Sequence, residues 1–413
     1  MSAAWVAWWM VWLACAVTAS AQVVVTKGPT KRSIALSGFR GDATWAAQVA
    51  DVLRNDLRIS GHFTVTPSAQ AELIQSGAVR VEGNQLVVEC TVTVAASKQV
   101  ALSKAYTGSV QDWRRVVHRI SDDIVSTITG QPGIAQTRIA FVWVREGVKE
   151  LAVMDYDGHN VRQLTHDKSL SVRPRWSPDG RRLIYTSYVN RFPDVVEADL
   201  ITGTRRIVAS FPGLNSGAAY SPDGQHIALT LSKDGNPELY VMSVAGSGLL
   251  RLTNTRAEES SPVWSPDGQQ IAYVSAAGGS PQIWVIGRNG GEARRLTVSP
   301  SYNTEPDWSR PPPNGELPPM IAMTSRVGGR FRIGLYDWGA REVRLLETGA
   351  GDAQDASWAP NGRHLVFAKV QGWRSRLYLL DALSGEQVEL PAIDGSATEP
   401  AWGPLIAAGR GSS

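Results

Sequence analysis

The side chains of this chain that could ligate a metal, move a proton or attack a substrate are few and poorly grouped. Six histidines, His62, His118, His159, His166, His226 and His364, share no metal-ligand spacing. His118 falls within a helical pattern, His226 and His364 open equivalent strands, and His159 and His166 flank one short strand. No two acids stand out as an acid/base couple, and no Gly-x-Ser-x-Gly elbow marks a nucleophile. In LVVECTVTV, Cys90 shares a strand face with Val88, Val92 and Val94, the placement of a small core residue. Cys15 lies in the N-terminal apolar run, so the remaining thiol supports neither a disulfide nor a cysteine zinc site. Neither a metal nor a cofactor is expected, and the chain is read as a non-enzyme. The chemistry left to it is recognition, carried by loops rich in Ser, Asn, Gly and Glu.

The bulk properties narrow the partner. A net charge of +3, with no run of Lys or Arg longer than two, lacks the basic stripe that phosphate backbones require and argues against nucleic acid. The thirteen residues 5–17 form an apolar run too short for a comfortable bilayer span. Ala19-Ser20-Ala21 follows as a small-x-small cleavage site, with cleavage between Ala21 and Gln22. This predicts an export signal over residues 1–21. The absence of a basic residue before the run departs from the usual pattern, and a membrane anchor is the alternative reading.

The elements that must position any site are written as a repeat. An aromatic residue opens a turn at Trp176, Tyr220, Trp264, Trp308, Trp358 and Trp402, with spacings of 44, 44, 44, 50 and 44 residues. In the first three copies the turn reads Ser-Pro-Asp-Gly: Pro presets φ, Asp tolerates the third position and Gly supplies positive φ. The next strand recurs in step, keyed by Ile139, Leu183, Ile227, Ile271, Ile321 and Leu365. Two more strands complete each unit, and four strands per ~44 residues is the signature of a β-propeller blade. The first unit lacks its aromatic strand, and Glu399-Pro400-Ala401-Trp402 is that strand alone. Six blades closed by the C-terminal strand follow, a ring without exposed sheet edges. The turn after Trp308 is replaced by SRPPPNGELPP, read as a stiff surface loop. Trp176, Trp264 and Trp358 are read as packing between blades rather than ligand platforms.

Residues 33–131 lack this period and read as a small α/β domain. Asp42 is placed to cap a helix carrying Trp45, Val49, Leu53 and Leu57 on one stripe, and 109–112 resembles a capping box before a helix with Trp113, Val116, Val117, Ile120 and Ile124. The organisation is thus a leader at 1–21, an N-terminal arm at 22–32, the α/β domain at 33–131 and a linker at 132–137. The all-β propeller occupies 138–405 and a tail 406–413. Within the arm, Gln22, Val23, Val24, Val25, Thr26 and Lys27 read either as a frayed end or as an extended strand offered to a partner's sheet.

Two features together carry a resemblance. The stretch RRVVHRISDDIVSTITGQPGIAQTRIAFV, residues 114–142, resembles the interdomain junction of the TolB family, periplasmic components of the Tol–Pal envelope system, and the six WSPDG-type units resemble its propeller. The likeness spans nearly the whole chain beyond the leader. It implies a periplasmic adaptor, monomeric on its own, that supports outer-membrane integrity and envelope constriction at cell division. It further implies that the propeller binds the lipoprotein Pal over the mouth of the ring, and that residues 22–27 engage TolA. Carried over by position, the Pal-contact loops are 211–217 and 256–262. The candidates are Leu214, Asn215 and Gly217, then Glu259, Ser260 and Ser261, with Thr304 and Glu305 one blade later. Leu214 and Ser260-Ser261 depart from the family's wording, His and Thr-Glu. A metabolite sensor using the central channel is the rival non-enzymatic class.

Overall fold

The computed structural model describes residues 30–405. The leader, the cleavage site at Ala21, arm residues Gln22 to Lys27 and the tail lie outside the described residues.

Alternating apolar residues build a five-stranded sheet from β1 (Arg32–Gly41), β2 (Phe63–Val65), β3 (Leu73–Glu82), β4 (Gln85–Val94) and β5 (Val100–Ser109). Its order is β2-β1-β3-β4-β5, with β1 parallel to both neighbours and the remaining pairs antiparallel. Two helices, α1 (Ala43–Ile59) and α2 (Trp113–Thr129), pack against it. Asp42 caps α1 as expected, its carboxylate accepting from the amides of Thr44 and Trp45. Val49, Leu53 and Leu57 of α1 meet Val116, Val117, Ile120 and Ile124 of α2 in one core, and Cys90 is buried there. Burial pushes the Cys90 thiol up to about 12, so it stays protonated and inert. The capping-box expectation needs correction. Ser109 accepts from the Gln111 amide and caps a single 3-10 turn, while Asp112, which precedes α2, makes no side-chain cap bond.

The remaining strands form six four-stranded antiparallel sheets among the described residues. The first blade joins β6 (Arg138–Arg145), β7 (Val148–Asp155) and β8 (Arg162–Gln163) to the chain's final strand, Ser396–Trp402. Trp402 faces Ile139 across that last pairing. The same register recurs in the other five blades, from Trp176 opposite Leu183 to Trp358 opposite Leu365. The expected six-bladed ring closed by the C-terminal strand is therefore the observed fold. In each Ser-Pro-Asp-Gly turn the serine hydroxyl bonds the aspartate and accepts the amide five residues on, as from Arg182 to Ser177 at 2.9 Å. The turn glycines take φ of 67 to 69°. The aromatic side chains tie neighbouring blades: the Trp264 indole donates to Ala219 O at 3.0 Å, and the Trp176 indole to Ala401 O at 2.9 Å.

The small domain sits on the face carrying these turns. Ile59, Ile134 and Ala135 join a core with Phe141, Tyr156, Val366 and Leu379 of the sixth and first blades. The proline-rich insert proves to be more than a surface loop. Asn314 accepts from Gln131 Nε2 at 2.7 Å and donates to Gly130 O at 2.9 Å, and Glu316 pairs with Arg363 at 2.7 Å. Its extra length reaches the end of α2 and braces the two domains.

Candidate functional site

On the opposite face, the loops entering each inner strand surround the mouth of the central channel. Every inner strand bulges at the same place, three residues before its aromatic. There Arg173, Gly217, Ser261, Glu305, Asp355 and Glu399 take φ of 55, 63, 54, 54, 57 and 50°. The strand register slips beside each of them. Only Gly217 accepts a left-handed backbone without strain. The bulge turns these six side-chain positions into a ring around a cavity of about 280 Å³.

The ring is polar and internally bonded. Glu399 Oε2 accepts from the Arg173 amide at 2.7 Å, and the Arg173 guanidinium donates to Ser261 Oγ at 3.0 Å. Thr324 Oγ1 donates to Glu305 Oε2 at 2.6 Å and accepts from the Asp355 amide at 3.1 Å. Lys149 Nζ lies 3.8 Å from Glu399. Burial, then the charges of Glu305 and Glu399, push the Asp355 carboxyl well above its ordinary range, while Arg173 opposes the shift. Such a mouth is charged and anchored, suited to polar contact with a partner laid across it.

The eight rim residues expected from sequence divide in two. Leu214, Gly217, Ser260, Ser261, Thr304 and Glu305 are partly exposed, and of these Gly217, Ser261 and Glu305 line the mouth. Asn215 and Glu259 are buried, each only 1% exposed. Asn215 closes its own loop by bonding Phe211 through both backbone groups, at 2.8 and 2.7 Å. The Glu259 carboxylate accepts from Thr255 Oγ1 at 2.8 Å and from Ser275 Oγ at 3.2 Å, and burial raises its pKa. Both side chains hold the loops in shape instead of facing outward. Sequence reasoning passed over Arg173, Asp355 and Glu399. Their signal is positional: each stands three residues before the aromatic and is followed by Pro or Ala, the same column as Gly217, Ser261 and Glu305.

A second polar centre lies between the domains. Asp56, His118 and Asp157 bring one ligand-type atom each to within 4.8 Å of one another, the convergent His/carboxylate group among the described residues. The carboxylates flank opposite nitrogens of the imidazole: Asp56 Oδ2 is 2.7 Å from Nδ1, and Asp157 Oδ2 is 3.8 Å from Nε2. Arg114 also contacts Asp157. Two acids on opposite edges of one ring, with a guanidinium alongside, suit a shared proton better than a common metal ion.

Comparison with known proteins agrees with this layout. Residues 125–406 match the TolB beta propeller domain and residues 21–103 the TolB amino-terminal domain. A Tol-Pal system protein TolB from Gluconobacter oxydans is 35% identical over 428 aligned residues, covering 95% of this chain and 93% of that protein. Another, from Desulfosudis oleivorans, is 34% identical over 185 residues, covering 45% of this chain and 42% of that protein. Among solved structures, the crystal structure of TolB from Acinetobacter baumannii superposes with a TM-score of 0.80 at 27% identity, covering 92% of this chain and 98% of that one.

Proposed function

Because this chain belongs to the TolB family of Tol–Pal system proteins, we propose that it is a non-enzymatic periplasmic adaptor that binds Pal at the channel mouth and TolA through its arm. Residues 1–21 are the leader, 22–32 the arm, 33–131 the small domain, 132–137 the linker, 138–405 the propeller and 406–413 the tail. In this role the protein supports outer-membrane integrity and envelope constriction at cell division.

The observation that carries the reading is the mouth itself. Six bulged inner strands present a fixed polar ring, and the ordered loops at 211–217 and 256–262 stand beside it. A surface held by internal bonds loses little conformational entropy when a partner covers it. Leu214, Gly217, Ser260, Ser261, Thr304 and Glu305 are the contacts assigned to Pal, with Asn215 and Glu259 shaping their loops. The test is capture of Pal from detergent-solubilised envelope by the purified protein. Leu214→Arg combined with Glu305→Lys abolishes capture while leaving the melting temperature within about 2 °C, since both side chains are partly exposed. Full capture by a folded double variant removes this face from consideration.

The arm is assigned to TolA on the family resemblance, and its run of β-branched residues, Val23, Val24, Val25 and Thr26, suits addition of a strand to a partner's sheet. Deleting residues 22–29 abolishes TolA association and leaves Pal capture and melting temperature unchanged. TolA binding that survives the deletion contradicts the assignment.

A further inference from the structure

The buried centre between the domains is assembled from three elements of different origin. Asp56 comes from the end of α1, His118 and Arg114 from α2, and Tyr156 and Asp157 from the turn after β7 of the first blade. The acids, the imidazole and Tyr156 are sealed from water: the side chains of Asp56 and Asp157 are 0% exposed and that of His118 is 2% exposed, while Arg114 keeps 15% of its side chain exposed. Asp56 bonds His118 Nδ1 with one oxygen and accepts from the Tyr156 hydroxyl at 2.7 Å with the other. The Tyr156 ring stands edge-on to the imidazole, with centroids 5.5 Å apart. Asp157 contacts Arg114 and accepts from the His159 amide at 3.4 Å. His118 Nε2 has no hydrogen-bond partner and faces Asp157.

Charge counting makes the proton on His118 decisive. With a neutral imidazole, two sealed carboxylates share one guanidinium; with an imidazolium, two anions meet two cations. An uncompensated buried charge is among the costliest features an interface can carry. We propose that the His118 proton is an interdomain latch: the imidazolium holds α1 and the first blade together through Asp56 and Asp157, and its loss loosens the small domain from the propeller. The inference does not depend on which partners the protein binds.

The surrounding charges set the sign. Burial alone would pull the imidazole down. Asp56 through charge and hydrogen bond, then Asp157 and Asp155, more than reverse this and lift it above its ordinary 6.5. Arg114 on the same helix is a nearby cation, whereas burial, then the charge of Arg114, lowers the pKa of His159 beyond Asp157 and keeps that ring neutral as the latch titrates. Asp122, the other buried acid of α2, is itself pushed up to about 6 by burial, so its charge is weakened only in the mildly acidic range where the latch is closed. A group whose folded pKa is raised stabilises the folded form below its unfolded value and loses that contribution as pH rises through the folded value. The latch is therefore closed in mildly acidic solution and opens on the alkaline side of pH 6.5.

The experiment uses the full chain from residue 22 with fluorophores at Ser97→Cys and Ala245→Cys, two exposed turns on the two domains. Energy transfer between them is followed together with the His118 imidazole resonance as pH is raised. Expected is a single interdomain distance at low pH and a second, broader population above the His118 midpoint, the two titrations coinciding above pH 6.5. His118→Gln, which keeps a donor for Asp56 but carries no charge, shows the broad population at every pH. Adding Asp157→Asn restores the single distance and leaves it pH-independent. A wild-type distance unchanged through the titration overturns the proposal, as does a His118 midpoint at or below 6.5, or a His118→Gln protein that keeps the wild-type pH dependence. Should the variants fail to fold, coincidence of the two wild-type titrations still decides the matter.

Discussion

At the scale of single residues, Arg363 is 1% exposed and ties its blade to the small domain through the Gly61 carbonyl. Its guanidinium grips Asp381 with two bonds of 3.0 and 2.6 Å, Glu316 at 2.7 Å and the Gly61 carbonyl at 3.0 Å. Arg363→Met leaves Asp381 sealed without its cation and is expected to cost roughly 3–5 kcal/mol. Asp381→Leu added to it recovers part of the loss, because the sealed anion is gone while the quarter-exposed Glu316 still lacks its cation and Ser384 loses the carboxylate it donated to; denaturant unfolding of the two variants measures the difference. Burial pushes the Asp381 carboxyl up, but its bonds to Arg363 hold it well below the usual carboxylate range. That stability is present above the ordinary value of 3.8 and is lost as pH falls through the lower folded value, so the wild-type chain tolerates acid further than Arg363→Met. Residues of this kind were the least legible in the sequence. Arg363 and Gly61 stand 302 positions apart, and His118 and Asp56 stand 62 apart. No local pattern pairs them, so His118 reads there only as one more histidine on a helix. The burial of Asn215 and Glu259 was hidden for a related reason, since loop position is periodic but side-chain direction within the loop is not.

At the scale of elements, periodicity carried most of the information and missed one feature. Apolar alternation and the Ser-Pro-Asp-Gly turns located the strands, and the Asp42 cap with its four-residue apolar stripe located α1. The inner-strand bulge was invisible because left-handed φ is normally announced by glycine, and here the column reads Arg, Gly, Ser, Glu, Asp, Glu. Holding five non-glycine residues in that conformation stores about 1–2 kcal/mol of strain at each, which fits a shape kept for binding more than for stability. Asp355 adds crowding by Glu305 and Glu399 to that strain. A carboxyl with a raised folded pKa stabilises only below its unfolded value, so the wild-type chain loses stability as pH rises through the raised value. Asp355→Asn keeps a side chain that tolerates left-handed φ and removes the charge. It is expected to raise the melting temperature at neutral pH by about 1 °C, the equivalent of about 1 kcal/mol at this size, and to have no effect below pH ~4. A pH series of calorimetric scans checks both statements.

At the scale of the whole molecule, the ring depends on the chain's last strand. The first unit arrives with three strands, and that deficit is what makes closure legible in the sequence. The junction between the domains was not legible in the same way, because its core of Ile59, Ile134, Ala135, Tyr156 and Leu379 draws on elements that share no repeat. The closing strand serves both. It pairs with β6 along Ser396 to Trp402, and the buried Trp402 indole donates to Thr137 Oγ1 at 2.7 Å, at the end of the linker. The Trp402 amide donates to Ser357 of the sixth blade at 3.0 Å. One tryptophan thus joins the first blade, the last blade and the linker. Removing residues 396–413 exposes the β6 edge, strips the ladder and leaves the apolar sides of two blades open to water. The expected loss is at least about 5 kcal/mol, a fall in melting temperature of about 6 °C or more, with unfolding split into separate transitions for the small domain and the opened ring. Removing residues 406–413 alone leaves the wild-type scan unchanged. If the longer truncation melts as one transition at the wild-type temperature, closure by this strand is not what stabilises the ring, and the rigid mouth assigned to Pal loses its mechanical basis.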